Sequence, residues 1–295
     1  MTDRRLLRGV PIAVTDREFA LFQRLVYEAS GIFLSPAKRA LLAARLSGRI
    51  RQLGLPSFAA YYRRVQDGGE TEKQILLDSI STNETHFFRE PAQFEFLRNE
   101  IVPAWLRDRG RNARVRVWSA ACSTGQEPFT LAMLLHDSLA GAGWQIEITA
   151  TDLSHRVLAR AKTAEWPIES AAEIPPPYLR RYMLRGLRSR SGVMKASPLL
   201  RSMIEFRALN LNDAWWSVSG PLDLIFCRNV LIYFDAVARQ RVIGRLLRLL
   251  GPGGYLFLGH AESASEWSQE LAAVGPTIYR RRAARSERME TGARP

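Results

Sequence analysis

The sequence predicts a two-part chain: an all-helical N-terminal domain, then an α/β domain on a mostly parallel sheet. Three observations lead there. Apolar residues recur at helical spacing over 12–80, with no strand-like alternation. From residue 114, short apolar strand-like runs alternate with amphipathic stretches, the pattern of a parallel sheet covered on both faces. The chain has 295 residues, 46% hydrophobic and 24% charged, enough for two such units and too apolar for global disorder.

Each element follows in order. Asp16 precedes Phe19, Phe22, Leu25 and Val26 and is the expected N-cap of the first helix, which Gly31 ends. Ser35-Pro36 opens a second helix as cap and first-turn proline. Leu41, Leu42, Leu46, Ile50 and Leu53 follow at helical spacing until Gly54. Residues 57–65 and 72–80 form a third and a fourth helix. The segment 81–92 is polar, then aromatic, then charged, and reads as a linker. The α/β domain is expected over 93–281. VRVWSAA (115–121) and WQIEITATD (144–152) are its first strands, separated by the helix PFTLAMLLHDSL (128–139). A second helix covers 153–164. Further strands fall within 203–213 and 222–234, then at 255–263 and 277–281, with a helix at 237–250 closed by the Gly-Pro-Gly-Gly of 251–254. Pro175-Pro176-Pro177 and the SRSGVMKA that follows interrupt this rhythm as a small inserted β-subdomain, expected at about 180–207. Residues 282–295 are expected to be a flexible tail.

Composition narrows the function. No run of about 18 uncharged apolar residues is present, so no membrane insertion is expected. The N-terminus lacks the apolar core of a secretory signal, and two distant cysteines, Cys122 and Cys227, fit a reducing cytoplasm. The four histidines show no metal-ligand spacing, so no metal is expected. Forty-two basic against 29 acidic residues leave a net charge of +13, which suggests an acidic partner: nucleic acid, a membrane surface or an acidic protein.

Polar residues converge on the carboxyl ends of the strands, where open α/β sheets bind ligands. The small-residue loop Ala120-Ala121-Cys122-Ser123-Thr124-Gly125-Gln126-Glu127 lets a ligand approach the backbone. Asp152 ends the second strand, where an acid can accept both hydroxyls of a ribose. Asn210 and Asn229 end the next two and offer donor and acceptor together. Each residue alone could equally be a turn or cap; four at consecutive strand ends point to one crevice. Both cysteines sit in apolar surroundings and read as buried and inert. On the second helix, Lys38, Arg45 and Arg49 form a basic stripe, with no acid anywhere between Glu28 and Asp67.

Taken together, ISTNETHFFRE (80–90), VWSAACSTGQEPFTLAM (117–133), TATDLS (149–154), NLND (210–213), IFCRNVLIYF (225–234) and LGPGGYLFLGHAES (250–263) resemble the chemotaxis receptor methyltransferases, the CheR family. The resemblance runs from about residue 15 to 281. It implies an S-adenosylmethionine-dependent, class I methyltransferase domain that methylates glutamate side chains on chemoreceptor cytoplasmic helices and releases S-adenosylhomocysteine. It implies cofactor contacts at Asn83, Thr85, Arg89, Glu127, Asp152, Asn210, Leu211, Asn229 and Val230. Arg89 and Tyr233 are the implied catalytic residues, Tyr233 facing the reactive methyl. Lys38, Arg45 and Arg49 would meet the acid-rich receptor. The expected protein is a cytoplasmic monomer recruited to membrane receptor arrays, with no specific nucleic acid. Two other functions compete: a nucleic-acid methyltransferase, favoured by the charge, and a non-catalytic module that senses cofactor or docks on receptors.

Overall fold

The computed structural model describes residues 13–283, so most of the expected tail (284–295) lies outside the described residues. Helix α1 (Asp16–Ser30) opens on a reciprocal cap. Thr15 Oγ1 accepts the Glu18 N–H, and the Glu18 carboxylate accepts the Thr15 N–H at 2.9 Å. The cap is therefore Thr15 and not the expected Asp16, because only Thr15 has a glutamate three positions on. Gly31 ends the helix in the left-handed region at φ 72°. Helix α2 (Arg39–Gln52), α3 (Phe58–Asp67, capped by Ser57) and α4 (Gly69–Ile80) complete a four-helix bundle. Phe22 of α1 is fully buried, stacks on Tyr61 at 6.1 Å and meets Phe58 edge-on at 6.2 Å. Leu42, Leu46 and Ile50 close this core from α2. Each such side chain contributes about 1.5–3 kcal/mol by leaving water.

Two helices missing from the sequence reading follow the linker: α5 (Pro91–Phe96) and α6 (Val102–Arg109). A π-helical turn, Leu97–Ile101, joins them just before Pro103, which has no N–H to continue a regular ladder. The sheet domain then runs β1 (Arg114–Ala120), α7 (Gln126–Leu139), β2 (Gln145–Asp152), α8 (His155–Thr163), β3 (Glu165–Pro167), α9 (Pro176–Tyr182), β4 (Met183–Arg185), β5 (Val193–Ala196), α10 (Pro198–Arg201), β6 (Ile204–Ala208), β7 (Leu222–Cys227), α11 (Ala236–Leu249), β8 (Leu250–Leu258), β9 (Leu271–Gly275) and β10 (Ile278–Arg281). The main sheet has the order β6-β2-β1-β7-β8-β10-β9. Its first five strands are parallel; β10 is antiparallel to β8 and β9. Alternate residues feed opposite faces, as the two-residue period requires. Leu224 and Phe226 of β7 pack with α7, and Ile225 and Cys227 pack with α11. Phe226 and Phe257 stack in parallel at 4.2 Å across β7 and β8.

Two sequence expectations change. The small antiparallel sheet, β3-β5-β4, spans 165–196 rather than about 180–207. Its first strand, Glu165–Pro167, is three residues ending in proline and is too short to show alternation. Residues 204–208 instead pair in parallel with β2 in the main sheet. The glycines at 251–254, read as a helix stop, belong to β8, which follows α11 without a loop.

The chain adds strands outward from β1 to β2 and β6, then returns to place β7 on the other side of β1. Adjacent loops diverge there and leave a crevice at the carboxyl ends of β1 and β7. The bundle closes one wall of it. Tyr27 Oη donates to Asp235 at 2.7 Å, Asn210 Nδ2 to the Ala29 carbonyl at 2.6 Å and the Phe33 N–H to the Tyr233 carbonyl at 2.8 Å.

Candidate active site

The crevice is open at its mouth, and every expected cofactor contact lines it: Asn83, Thr85, Arg89, Glu127, Asp152, Asn210, Leu211, Asn229 and Val230, together with Tyr233. The β1–α7 loop forms its floor. Ala121, Ser123 and Gly125 all have positive φ, so the loop turns tightly enough to aim backbone at a ligand. Gly125, at φ 96°, also lies against Ala161, whose Cβ would sit 3.1 Å from any side chain placed there.

Asp152 is 7% exposed and locks this loop. Its carboxylate accepts the Ser123 N–H at 2.8 Å and the Ser154 N–H at 2.9 Å. Burial pushes its carboxyl up, and these two N–H groups partly offset the rise. A carboxylate has about four acceptor sites, so it keeps capacity for a ribose diol. This acceptor capacity fits the ribose of a nucleoside. Asn210 is less free: Nδ2 reaches Ala29, and Oδ1 accepts the Asn212 N–H at 2.9 Å. One N–H and one lone pair remain for a ligand. Asn83 holds the linker to the loop, its carbonyl accepting Ser123 Oγ at 2.9 Å. Arg89 donates to the Glu84 carbonyl at 2.9 Å, which bends the linker around its own guanidinium.

Behind Asn229 lies a charge network that sequence reasoning missed. Arg228, 5% exposed, pairs with Glu127 at 3.2 Å and Glu90 at 3.0 Å. Burial pushes Glu127 up despite Arg228 and a 2.7 Å hydrogen bond from Ser119. Burial also raises Glu90, but there Arg228, the Asn229 amide and the His260 N–H outweigh it and hold the carboxyl below its usual range. The signal was present: an arginine interrupting the apolar run IFCRNVLIYF must be paired if buried.

Glu262 was missed too. It is 5% exposed, and its carboxylate accepts four backbone N–H groups: Asn229 (2.9 Å), Leu231 (2.7 Å), Ile232 (3.3 Å) and Gly259 (2.6 Å). Burial raises its pKa, and the four donors oppose the rise. It sets the path of residues 229–233 and so the places of Asn229 and Tyr233. The isolated acid in GHAES, just after a buried strand, was its signal.

The expected basic stripe divides. Lys38 lines the crevice mouth, with Nζ 5.3 Å from the Tyr233 ring centroid. Arg45 donates to the Ile80 carbonyl and, at 3.0 Å, to Thr82. Arg49 grips both oxygens of Glu72 at 2.9 and 2.7 Å. Packing of α4 on α2 brings in the acid that local sequence lacked. Both cysteines are buried, and burial pushes each thiol well up, which keeps it inert. Among the described residues, no three His, Cys, Asp or Glu side chains are grouped to hold a metal.

The model of the CheR methyltransferase all-alpha domain matches residues 17–81, and that of the CheR methyltransferase SAM binding domain matches residues 83–279. The chain is 37% identical to chemotaxis protein methyltransferase 2 of Pseudomonas aeruginosa, over 90% of this chain and 93% of that one. It is 36% identical to the chemotaxis protein methyltransferase of Escherichia coli (91% and 92% covered) and 34% to that of Borreliella burgdorferi (92% and 96%). With its helical domain set against a nucleoside-fitting crevice, the chain belongs to the CheR family of S-adenosylmethionine-dependent methyltransferases.

Proposed function

We propose that the protein methylates glutamate side-chain carboxylates on the cytoplasmic helices of chemoreceptors, as a protein-glutamate O-methyltransferase serving sensory adaptation. The observation that carries this reading is the meeting of Arg89, Tyr233 and Lys38 on the lining of the crevice. Free cations at the mouth suit an anionic acceptor. When bound, S-adenosylmethionine supplies an electrophilic methyl on a sulfonium. A glutamate carboxylate, with a pKa near 4.3, is already ionised at neutral pH and needs no general base. Transfer would join one carboxylate oxygen to the methyl carbon as the S–CH₃ bond breaks, with the electron pair left on sulfur and no proton moved.

The chain's own work is alignment. Asp152 holds the ribose and Asn210 and Leu211 flank the base. Glu127, Asn229 and Val230 border the amino-acid end, with Asn83 and Thr85 closing from the linker. Arg89 and Tyr233 steer the carboxylate to within about 3–3.5 Å of the methyl. Walls from both domains exclude water, which strengthens attraction between sulfonium and carboxylate. Too tight an ion pair with Arg89 would stabilise the ground state, so Arg89 acts partly through cofactor binding.

This reading places the protein in the cytoplasm as a monomer recruited to receptor arrays. Tritiated cofactor offered with a receptor cytoplasmic fragment or total RNA tests it. Base-labile label on the fragment supports a carboxyl methyl ester. Label confined to RNA would favour the nucleic-acid function, and cofactor binding without transfer would favour a docking module. Full turnover by Tyr233→Phe would remove the steering role of Tyr233.

A further inference from the structure

After β7 the chain turns through residues 229–233, and Asn229, Val230 and Tyr233 of this turn all line the crevice. The first two are proposed cofactor contacts and the third the proposed steering group. Asn229 is left-handed at φ 57°, a sparsely populated conformation that its surroundings must hold. Glu262, in the loop after β8, gathers the turn. Its Oε1 accepts the Leu231 and Ile232 N–H groups, and its Oε2 accepts those of Asn229 and Gly259. Backbone N–H groups aimed at one point make an anion-binding nest, here filled by a carboxylate of the same chain. Among the described residues no cation pairs with Glu262; backbone donors alone oppose the effect of its burial.

Four donors fill the four lone-pair sites of a carboxylate. No acceptor capacity remains for a ligand, so Glu262 acts through the turn and not on a bound molecule. A neutral side chain of the same size cannot replace it either. Glutamine keeps one oxygen, and its amide N–H₂ would face two N–H donors, either Leu231 and Ile232 or Asn229 and Gly259. The contact around it is close: a Cβ at Gly259 would lie 2.5 Å from Asn229 Nδ2 and 2.8 Å from the Asn229 backbone nitrogen. We infer that Glu262 is a positioning residue for methyl transfer, whose negative carboxylate, and not its bulk, holds Asn229 at the cofactor and Tyr233 at the acceptor as one unit. The acceptor half of this inference rests on the proposed glutamate methylation; the cofactor half does not.

Glu262→Gln and Glu262→Ala test it, with S-adenosylmethionine affinity read by calorimetry and tritium transfer read on a soluble chemoreceptor cytoplasmic fragment. Glu262→Gln keeps the volume and loses lone pairs. It should weaken cofactor binding about tenfold and lower kcat about a hundredfold, with the fragment's KM within about threefold of wild type. Glu262→Ala deletes the carboxylate and one methylene, the heavy atoms of an acetate ion. His260, Ala261 and Ser263 beside it are exposed, so acetate can enter from solvent. Sodium acetate should restore affinity and kcat in Glu262→Ala about tenfold, sodium chloride at equal ionic strength should not, and neither salt should improve wild type or Glu262→Gln. Wild-type Kd and kcat in Glu262→Gln would overturn the inference, since bulk would then suffice. Lost affinity with kcat retained would break the unit and overturn it too, as would a folded Glu262→Ala that acetate does not improve. Failure of both variants to fold, seen in melting curves, would make Glu262 a stability residue and remove the positioning role. A wild type that binds cofactor but never methylates the fragment would sink the proposed function instead. Lost cofactor affinity in Glu262→Gln, with recovery by acetate in Glu262→Ala, would still support the cofactor half.

Discussion

In the helical bundle, Glu72 is 4% exposed and meets Arg49 through both oxygens, and that hydrogen-bonded pairing holds its carboxyl below the usual range. At the strand ends Glu127, Asp152 and Glu262 are also largely buried, yet burial pushes each of them above that range. The bundle withdraws a charge from water and compensates it fully. The strand ends withdraw three and compensate them in part, through backbone N–H groups and an arginine shared with Glu90. A carboxylate held below its ordinary pKa contributes stability at neutral pH; one held above it subtracts stability. The difference separates a domain whose buried acid ties two helices together from one whose buried acids tie loops and an arginine together at the strand ends.

The largest effect should come from breaking the compensated pair. Arg49→Met leaves Glu72 buried without its partner and should cost about 3 kcal/mol of stability. Neither residue lines the crevice, so cofactor affinity should hardly change. Thermal denaturation and calorimetry on the same variant check both halves. A large loss of affinity would mean that the bundle and crevice are not separable in this way.

Asp152→Ala addresses the other region. It removes the acceptor for the Ser123 and Ser154 N–H groups and the group proposed to hold the ribose. Loss of hydrogen bonds to a charged acceptor should weaken S-adenosylmethionine binding about a hundredfold, measured by calorimetry. Because burial disfavours this carboxylate, stability should fall by less than in Arg49→Met.

These two residues also mark what was legible in the sequence. Asp152 could be placed because a strand pattern, read by period, puts its last residue at a known edge of the sheet. Asn210 and Asn229, expected as the last residues of their strands, lie two residues past the ends of β6 and β7, in the loops at that edge. Arg49 was read as a surface cation because its partner, Glu72, lies in another helix and only packing brings them together. Glu90, Arg228 and Glu262 were missed for the same reason: their contacts join the linker, the end of β7 and the turn after β8. Local pattern reports period and punctuation, and pairing across the fold leaves no period. The short strand Glu165–Pro167 escaped because three residues cannot display one.

A third, smaller effect tests how the regions meet. Gly31 has φ 72°, and a Cβ there would lie 2.7 Å from the Phe234 ring and 3.0 Å from Asn212 Oδ1. Gly31→Ala should cost about 1–2 kcal/mol from backbone strain. It should also lower turnover more than cofactor affinity, because it presses the bundle away from the segment that carries Tyr233. Equal loss of both would show that the bundle wall serves the cofactor as much as the acceptor.

Glu127→Gln is the smallest expected change in stability and the sharpest on sign. Glu127 has a raised native pKa, so the native state binds its proton more tightly than the unfolded chain does. Its contribution to stability therefore falls as pH rises from the ordinary carboxylate value, about 4.3, through the native value. Glutamine removes that titration. Relative to wild type, the variant should gain in melting temperature as pH rises through this window, with a net change below about 1 kcal/mol because Arg228 keeps Glu90. Arg49→Met should show the opposite asymmetry. Glu72 has a lowered native pKa, so its pairing stabilises above the unfolded pKa and is lost as pH falls through the native one. The penalty of that variant should therefore shrink on acidification. Melting curves for both variants from about pH 2 to 7 would set the two slopes side by side. Parallel slopes would mean that the two regions handle buried charge alike, and that crevice acids are no less compensated than those of the bundle.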